Sequence, residues 1–289
     1  MRQVDLSPSS PASVSKGWGA FFNPPVFVGT PLDREALNRQ NNGCRAFVKA
    51  LDAVYKGRQM IVSREGLVVL AEPQMAAAVE LLNEVMVVLL IRSVPVNGVR
   101  ETDLLECSID TANREIAGGE WWHEARKQTS LERDFEGFNA RFYHPDNVRS
   151  FIRRAELVTS HPAARADLRL LMEAFTLHQE SAFAASFLLS WSGAARLLQA
   201  EWRRQTKQPH GNDGAESVNS DPCAEVARVI EELYSCNAVD ALTYQEAKRL
   251  REKHSNIIKS EREATMGESE ACFHFFLSQL RKSLSSAEL

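Results

Sequence analysis

The sequence predicts a mainly α-helical protein in two parts, an N-terminal α+β region followed by an all-helical bundle. Three observations carry this reading. Short apolar runs bounded by Gly and Pro, the mark of strands and turns, occur in the first half of the chain. From Asn147 onward, apolar residues recur at three- and four-residue spacing in one segment after another. The 289 residues, 44% apolar and 25% charged, are enough to bury a real core, with room for about two domains.

Residues 1–22 are polar and rich in Ser and Pro, lack the apolar segment of a secretory signal, and read as a flexible leader. Residues 23–145 are assigned to the α+β region. Pro24–Leu32 is a strand-like run closed by Gly and Pro, and Asp33–Tyr55 reads as a helix, with Leu37, Cys44, Phe47, Val48 and Leu51 at roughly helical spacing. Met60–Ser63 and Leu67–Ala71 flank Arg64-Glu65-Gly66 and predict a hairpin. Pro73 suits a first helical turn, and Gln74–Arg92 is apolar almost throughout, which predicts a helix buried on most sides. Glu80 and Glu84 lie on adjacent turns of it. A charge costs at least about 2.5 kcal/mol at a bilayer centre, so the segment reads as a core helix and the chain as cytoplasmic, without a membrane partner. Asn97-Gly98 marks a turn, and Thr102–Ala117 reads as a helix stopped by Gly118-Gly119. Trp121-Trp122-His123 is read as packing at a domain junction in preference to ligand stacking.

The bundle is assigned to residues 146–289. Its helices are Asn147–Val158, one opening at His161-Pro162, and a long one through Ser181–Gln205 whose apolar face runs from Phe183 to Trp202. Lys207–Pro222 is rich in Gly, Asn, Ser and Asp and reads as a flexible loop. Three further helices follow: Cys223–Tyr234, Tyr244 to about Lys259 with Thr243 as N-cap and Glu246 completing a capping box, and Ser269–Leu284.

Charge and motif content exclude several function classes. Thirty-four Lys and Arg against 38 Asp and Glu leave a net charge of −4, which argues against a dedicated nucleic-acid coat. Five scattered cysteines without a C-x-x-C pair argue against a disulfide framework or structural zinc, and favour a reducing compartment. The remaining histidines, His123, His144, His161, His178, His210 and His274, show no metal-ligand spacing, and no Gly-rich phosphate loop or G-x-S-x-G stands in a strand–turn–helix context. No metal and no cofactor are expected.

The stretch VIEELYSCNAVDALTYQEAKRLREKHSNIIKSE and the final amphipathic segment ESEACFHFFLSQLRKSL, preceded by a long helix pair and a polar insertion, resemble the HEPN (higher eukaryotes and prokaryotes nucleotide-binding) superfamily over the C-terminal half. That resemblance implies a dimeric helical bundle. Many of its members are metal-independent ribonucleases of toxin–antitoxin and antiviral systems. Their signature is an Arg, often followed by Asn, then three residues and a His, with two protomers forming one cleft. Two registers are open. Taking Leu250-Arg251 as the family's lead-in places His254 on the Arg, Ser255 on the Asn, Ile257 and Ile258 on an apolar pair, and Lys259 on the His, so the signature is degenerate. The other register takes Arg249 and His254 literally, but puts Glu252 and Lys253 where the family is mainly apolar, and the degenerate register is preferred.

The chemistry separates the registers. Metal-free RNA cleavage needs a base for the 2′-hydroxyl, an acid for the leaving oxygen and a cation on the phosphorane. Imidazole titrates near pH 6.5 and serves as base or acid; guanidinium clamps two phosphate oxygens. Lysine holds its proton at neutral pH and grips phosphate without acting as base. The candidate catalytic residues are therefore Arg249, His254 and Lys259, with Arg251, Lys253 and Asn256 as candidate RNA- or partner-binding residues. The leading expectation is a non-catalytic or weakly catalytic homodimeric module binding RNA or a protein partner, in a bacterial defence or toxin–antitoxin setting implied by the resemblance. The alternatives are an active metal-independent endoribonuclease and a small-ligand-binding protein acting through its N-terminal half. Dimerisation is expected through the last helix, because Cys272, Phe273, Phe275, Phe276 and Leu280 exceed a single apolar stripe.

Overall fold

A computed structural model of the chain describes residues 14–24, 26–33, 48–117, 141–206, 222–260 and 263–286. It consists of an N-terminal antiparallel sheet followed by a helical region, and divides into two compact units, Met1–Leu157 and Val158–Leu289. The division falls about a dozen residues later than the 145/146 boundary read from the sequence, because the helix Pro145–Thr159 runs across it.

In the first unit, strands β1 (Val14–Phe21), β3 (Lys49–Tyr55), β4 (Arg58–Ser63), β5 (Leu67–Leu70), β6 (Leu105–Asp110) and β7 (Glu115–Ala117) form one sheet in the order β3-β4-β5-β1-β6-β7. β2 (Val26–Val28) and β8 (Arg141–Tyr143) pair in parallel as a second sheet. The β4–β5 hairpin, the strand near Pro24 and the buried apolar helix, here α1 (Met75–Ile91), stand as the patterning predicts.

Three expectations are corrected. Residues 14–21, read as leader, are an interior strand of the six-stranded sheet, between β5 and β6. The expected helix Asp33–Tyr55 ends as strand β3. Leu51 and Tyr55 fit both helical and strand spacing, and the two-residue Lys56-Gly57 loop, with both residues at positive φ, pairs Tyr55 with Arg58. The expected helix Thr102–Ala117 is a short 3-10 turn, Glu101–Asp103, and the β6–β7 hairpin. Cys107 and Ile109 alternate with polar residues, and Asp110 Oδ1 accepts the N–H groups of Ala112 and Asn113 at 2.9 and 3.0 Å, closing the turn.

Strand register sorts the core into two faces. Phe21, Ile61, Leu67, Val69, Cys107, Ile109 and Ile116 form one cluster with Phe27. A Cβ added at Gly19, on this face, would sit 2.9 Å from a Val69 methyl, so β1 needs glycine there. Trp18, Ala20, Met60, Val62, Val68 and Leu70 form the other face, and α1 packs against β1 and β5. Lys49 Nζ donates to Asn113 O at 3.3 Å and Arg114 pairs with Asp52 at 3.1 Å, so side chains link β3 to the β6–β7 turn at the far end of the sheet order.

The second unit is helical. The chain enters it through α2 (Pro145–Thr159) and continues as α3 (Pro162–Gln179), α4 (Phe183–Thr206), α5 (Pro222–Ser235), α6 (Ala241–Ser260) and α7 (Met266–Ser286). α4 is the central helix and packs against the other four helices from α3 to α7. Gly193 lets it approach α7, since a Cβ there would lie 2.3 Å from the Phe276 ring. Two start signals differ from expectation. α6 begins at Ala241, with the Asp240 carboxylate accepting the Thr243 N–H at 2.7 Å, so the cap is Asp240 and not Thr243. The reciprocal capping box belongs to α7, where Thr265 N–H donates to Glu268 and Glu268 N–H to the Thr265 hydroxyl, at 2.8 and 3.3 Å. Residues 1–13, Gly118-Gly119, Trp121–His123 and the expected loop at 207–222, Pro222 excepted, lie outside the described residues.

Candidate functional site

All six candidate residues lie on α6, and the helix sets their directions. Ala247, Leu250 and Ile257 are buried and define its packed face. At about 100° per residue, Arg249 and His254 stand about 140° apart around the axis, as do His254 and Lys259. His254 falls on the packed face, and Lys259 on the side away from it, exposed.

Each side chain is engaged differently. Arg249 is half exposed and donates Nε and Nη2 to the Glu246 oxygens at 2.8 and 2.5 Å. This fork raises the guanidinium pKa further and occupies the edge that would clamp a phosphate. Lys253 is bonded to Glu268 at 2.5 Å, with 12% of its side chain exposed. Partial burial opposes ionisation of Glu268, but Lys253 and the Thr265 cap outweigh it and hold the carboxyl at about 2. His254 lies against Trp191 of α4, ring centroids 5.9 Å apart, with Nδ1 enclosed and without a hydrogen-bond partner among the described residues. Burial lowers its pKa, so the imidazole is neutral at pH 7. Arg251 is partly buried, its Nε enclosed without a hydrogen bond among the described residues, and Asn256 is exposed.

The arrangement brings Arg249 to Glu246 and Lys253 to Glu268; it does not bring Arg249, His254 and Lys259 together on one face of α6. His254 has the neutral state a general base needs, but it faces an indole instead of a cation. The last helix also differs from expectation in its energetics. Cys272, Phe273, Phe275, Phe276 and Leu280 are all buried within the chain, so the apolar surplus read as a dimer face is spent on the unit's own core. Among the described residues of this unit, the exposed large apolar side chains are Tyr234, Leu242, Ile258 and Met266, two of them on α6.

The first unit holds a polar centre that sequence reasoning missed. Glu84 of α1, 3% exposed, accepts the Tyr55 hydroxyl at 2.7 Å and Lys56 Nζ at 2.6 Å. Glu72, equally buried, pairs with Arg58 and accepts the Gln74 N–H. The available signal was an acidic residue inside an apolar helix, which inside a folded core demands a paired cation. This network ties the β3–β4 turn to α1. Burial pushes the Cys107 thiol up to about 12 and the Cys272 thiol higher still, which removes both as thiolate nucleophiles. Among the described residues, no group of three or more His, Cys, Asp or Glu side chains could hold a metal ion, and no helix is long and apolar enough to cross a membrane. No family model, no curated protein and no solved structure matches the chain.

Proposed function

We propose that the chain is a HEPN-like, non-catalytic module that works by binding a partner, as a homodimer, in a bacterial defence or toxin–antitoxin setting. The observation that carries this reading is the dispersal of the three candidate catalytic residues around α6, with Arg249 held by Glu246. A cleaving site needs a neutral base and a phosphate-gripping cation to face one substrate. Here the neutral imidazole is packed against Trp191, and two basic side chains of the same helix, Arg249 and Lys253, already have carboxylates.

The same ion pairs favour a protein over RNA as the partner. Lys248 is bonded to Glu231, Arg249 to Glu246 and Lys253 to Glu268, so of the five cations of α6 only Arg251 and Lys259 stand outside these pairs to release counterions from a phosphate backbone. The exposed Leu242 and Ile258 offer apolar anchors on the same helix. The apolar residues of α7 are buried in the unit's own core, which supports placing the self-association implied by the resemblance on surface such as these.

Labelled RNA incubated with the protein in EDTA tests the assignment. No cleavage is expected, and any RNA binding should be weak and lost with added salt. EDTA-resistant cleavage that vanishes in both Arg249→Ala and His254→Ala, and survives Lys259→Ala, would establish an endoribonuclease instead. Light scattering at micromolar concentration checks the dimer, and a mass near the 32.4 kDa of one chain would refute it.

A further inference from the structure

We propose that the helical unit carries a small-molecule site between α4, the α5–α6 connection and α7, and that its occupant is an uncharged compound with an apolar body and one amide-type edge. The pocket is open to solvent on one side and has a volume of about 430 Å³, within the range of about 300–1,000 Å³ typical of small-ligand sites. Its apolar lining comes from Leu197 and Leu198 of α4 and from Ala238 and Val239 of the α5–α6 connection. The wall contributed by α7 contains Gln279.

Gln279 gives the pocket its chemistry. It is 8% exposed and lines the cavity. A primary amide presents a donor and an acceptor side by side. A ligand edge carrying an acceptor beside a donor, as in a carboxamide or lactam, satisfies both at once.

The mouth argues for a neutral ligand. Arg204 and Lys282 stand there, but Arg204 donates Nε and Nη2 to Glu201 at 2.9 and 2.8 Å, and Glu201 also takes Gln205 at 2.6 Å. Lys282 donates to the Thr243 hydroxyl at 3.3 Å, and its charge acts on Asp240, the α6 cap. Arg204 is paired with Glu201 and Lys282 lies within electrostatic reach of Asp240, so the mouth favours neither an anion nor a cation, while an apolar ring finds aliphatic walls.

Titration of the ¹⁵N-labelled full-length chain by NMR tests this, with benzamide, toluene, benzoate and benzylammonium as probes. Benzamide should bind saturably, about tenfold tighter than the other three, as expected where a site is built to hydrogen-bond a ligand. It should move the amide signals of Val239 and Ser283, and Gln279→Leu should weaken it about tenfold while leaving toluene unchanged. Absent saturation, equal binding of all four probes, or benzamide binding indifferent to Gln279→Leu would overturn the proposal. Should that variant fail to fold, the unmodified chain still decides: benzamide-induced shifts that avoid Val239 and Ser283 refute the site. None of these outcomes depends on RNA cleavage or dimerisation, so the site and the proposed function stand or fall separately.

Discussion

Lys56→Met probes the buried carboxylate of the first unit. Glu84 is almost wholly enclosed, and its Oε2 takes the Lys56 ammonium at 2.6 Å as well as the Tyr55 hydroxyl at 2.7 Å. Methionine keeps the length of the stem and deletes the charge, leaving a buried carboxylate without its counter-ion. Removing one member of a buried pair costs about 3–5 kcal/mol. The Lys56 side chain retains 25% exposure, so water offsets part of the loss and the lower end, about 3 kcal/mol, is expected. Hydrogen exchange read by mass spectrometry resolves the two units. Peptides from α1 should exchange about 150-fold faster, the equivalent of 3 kcal/mol at about 1.4 kcal/mol per decade, while peptides from α4 stay unchanged. Adding Glu84→Gln removes the orphaned charge and keeps an acceptor for Tyr55, so the double variant should regain most of the protection. An effect below about threefold in α1, or a double variant no better than the single one, would refute the reasoning.

Three further outcomes are expected. Burial holds the His254 pKa below 6.5, so the unfolded chain binds more protons as pH falls through that value, and the helical unit loses stability there; His254→Phe should flatten the change in urea midpoint between pH ~7.5 and ~5.5. Glu268 is depressed from 4.5 to about 2, so its contribution is complete above 4.5 and lost as pH falls towards 2, and Glu268→Gln should remove that part of the acid sensitivity in the circular dichroism transition. Gly193→Ala places a methyl against the Phe276 ring, and should cost about 1–3 kcal/mol in urea unfolding unless that ring moves aside; an unchanged midpoint would show that the α4–α7 contact is loose.

Much of the helical unit was legible in the residues alone. Apolar spacing placed α2 to α7 to within a few residues at most ends, because a helix makes its hydrogen bonds within its own segment and its pattern is local. The β4–β5 hairpin and α1 were legible for related reasons, a turn signal between two short apolar runs and a long apolar segment after Pro73. Tertiary structure decided the rest. Val14–Phe21 and Leu105–Asp110 are strands because partner strands tens of residues away in sequence complete their hydrogen bonds, and Lys49–Tyr55 and Glu115–Ala117 because the neighbouring strand across a short turn does so. The same holds for the candidate site. The letters of α6 name its cations and its imidazole and place Arg249 one turn from Glu246, but that Lys248 meets Glu231, that Lys253 meets Glu268 and that His254 turns towards Trp191 follow from where α4, α5 and α7 pack around it. A single helix dictates the angle between its own side chains; only packing assigns those angles to core, ion pair or solvent.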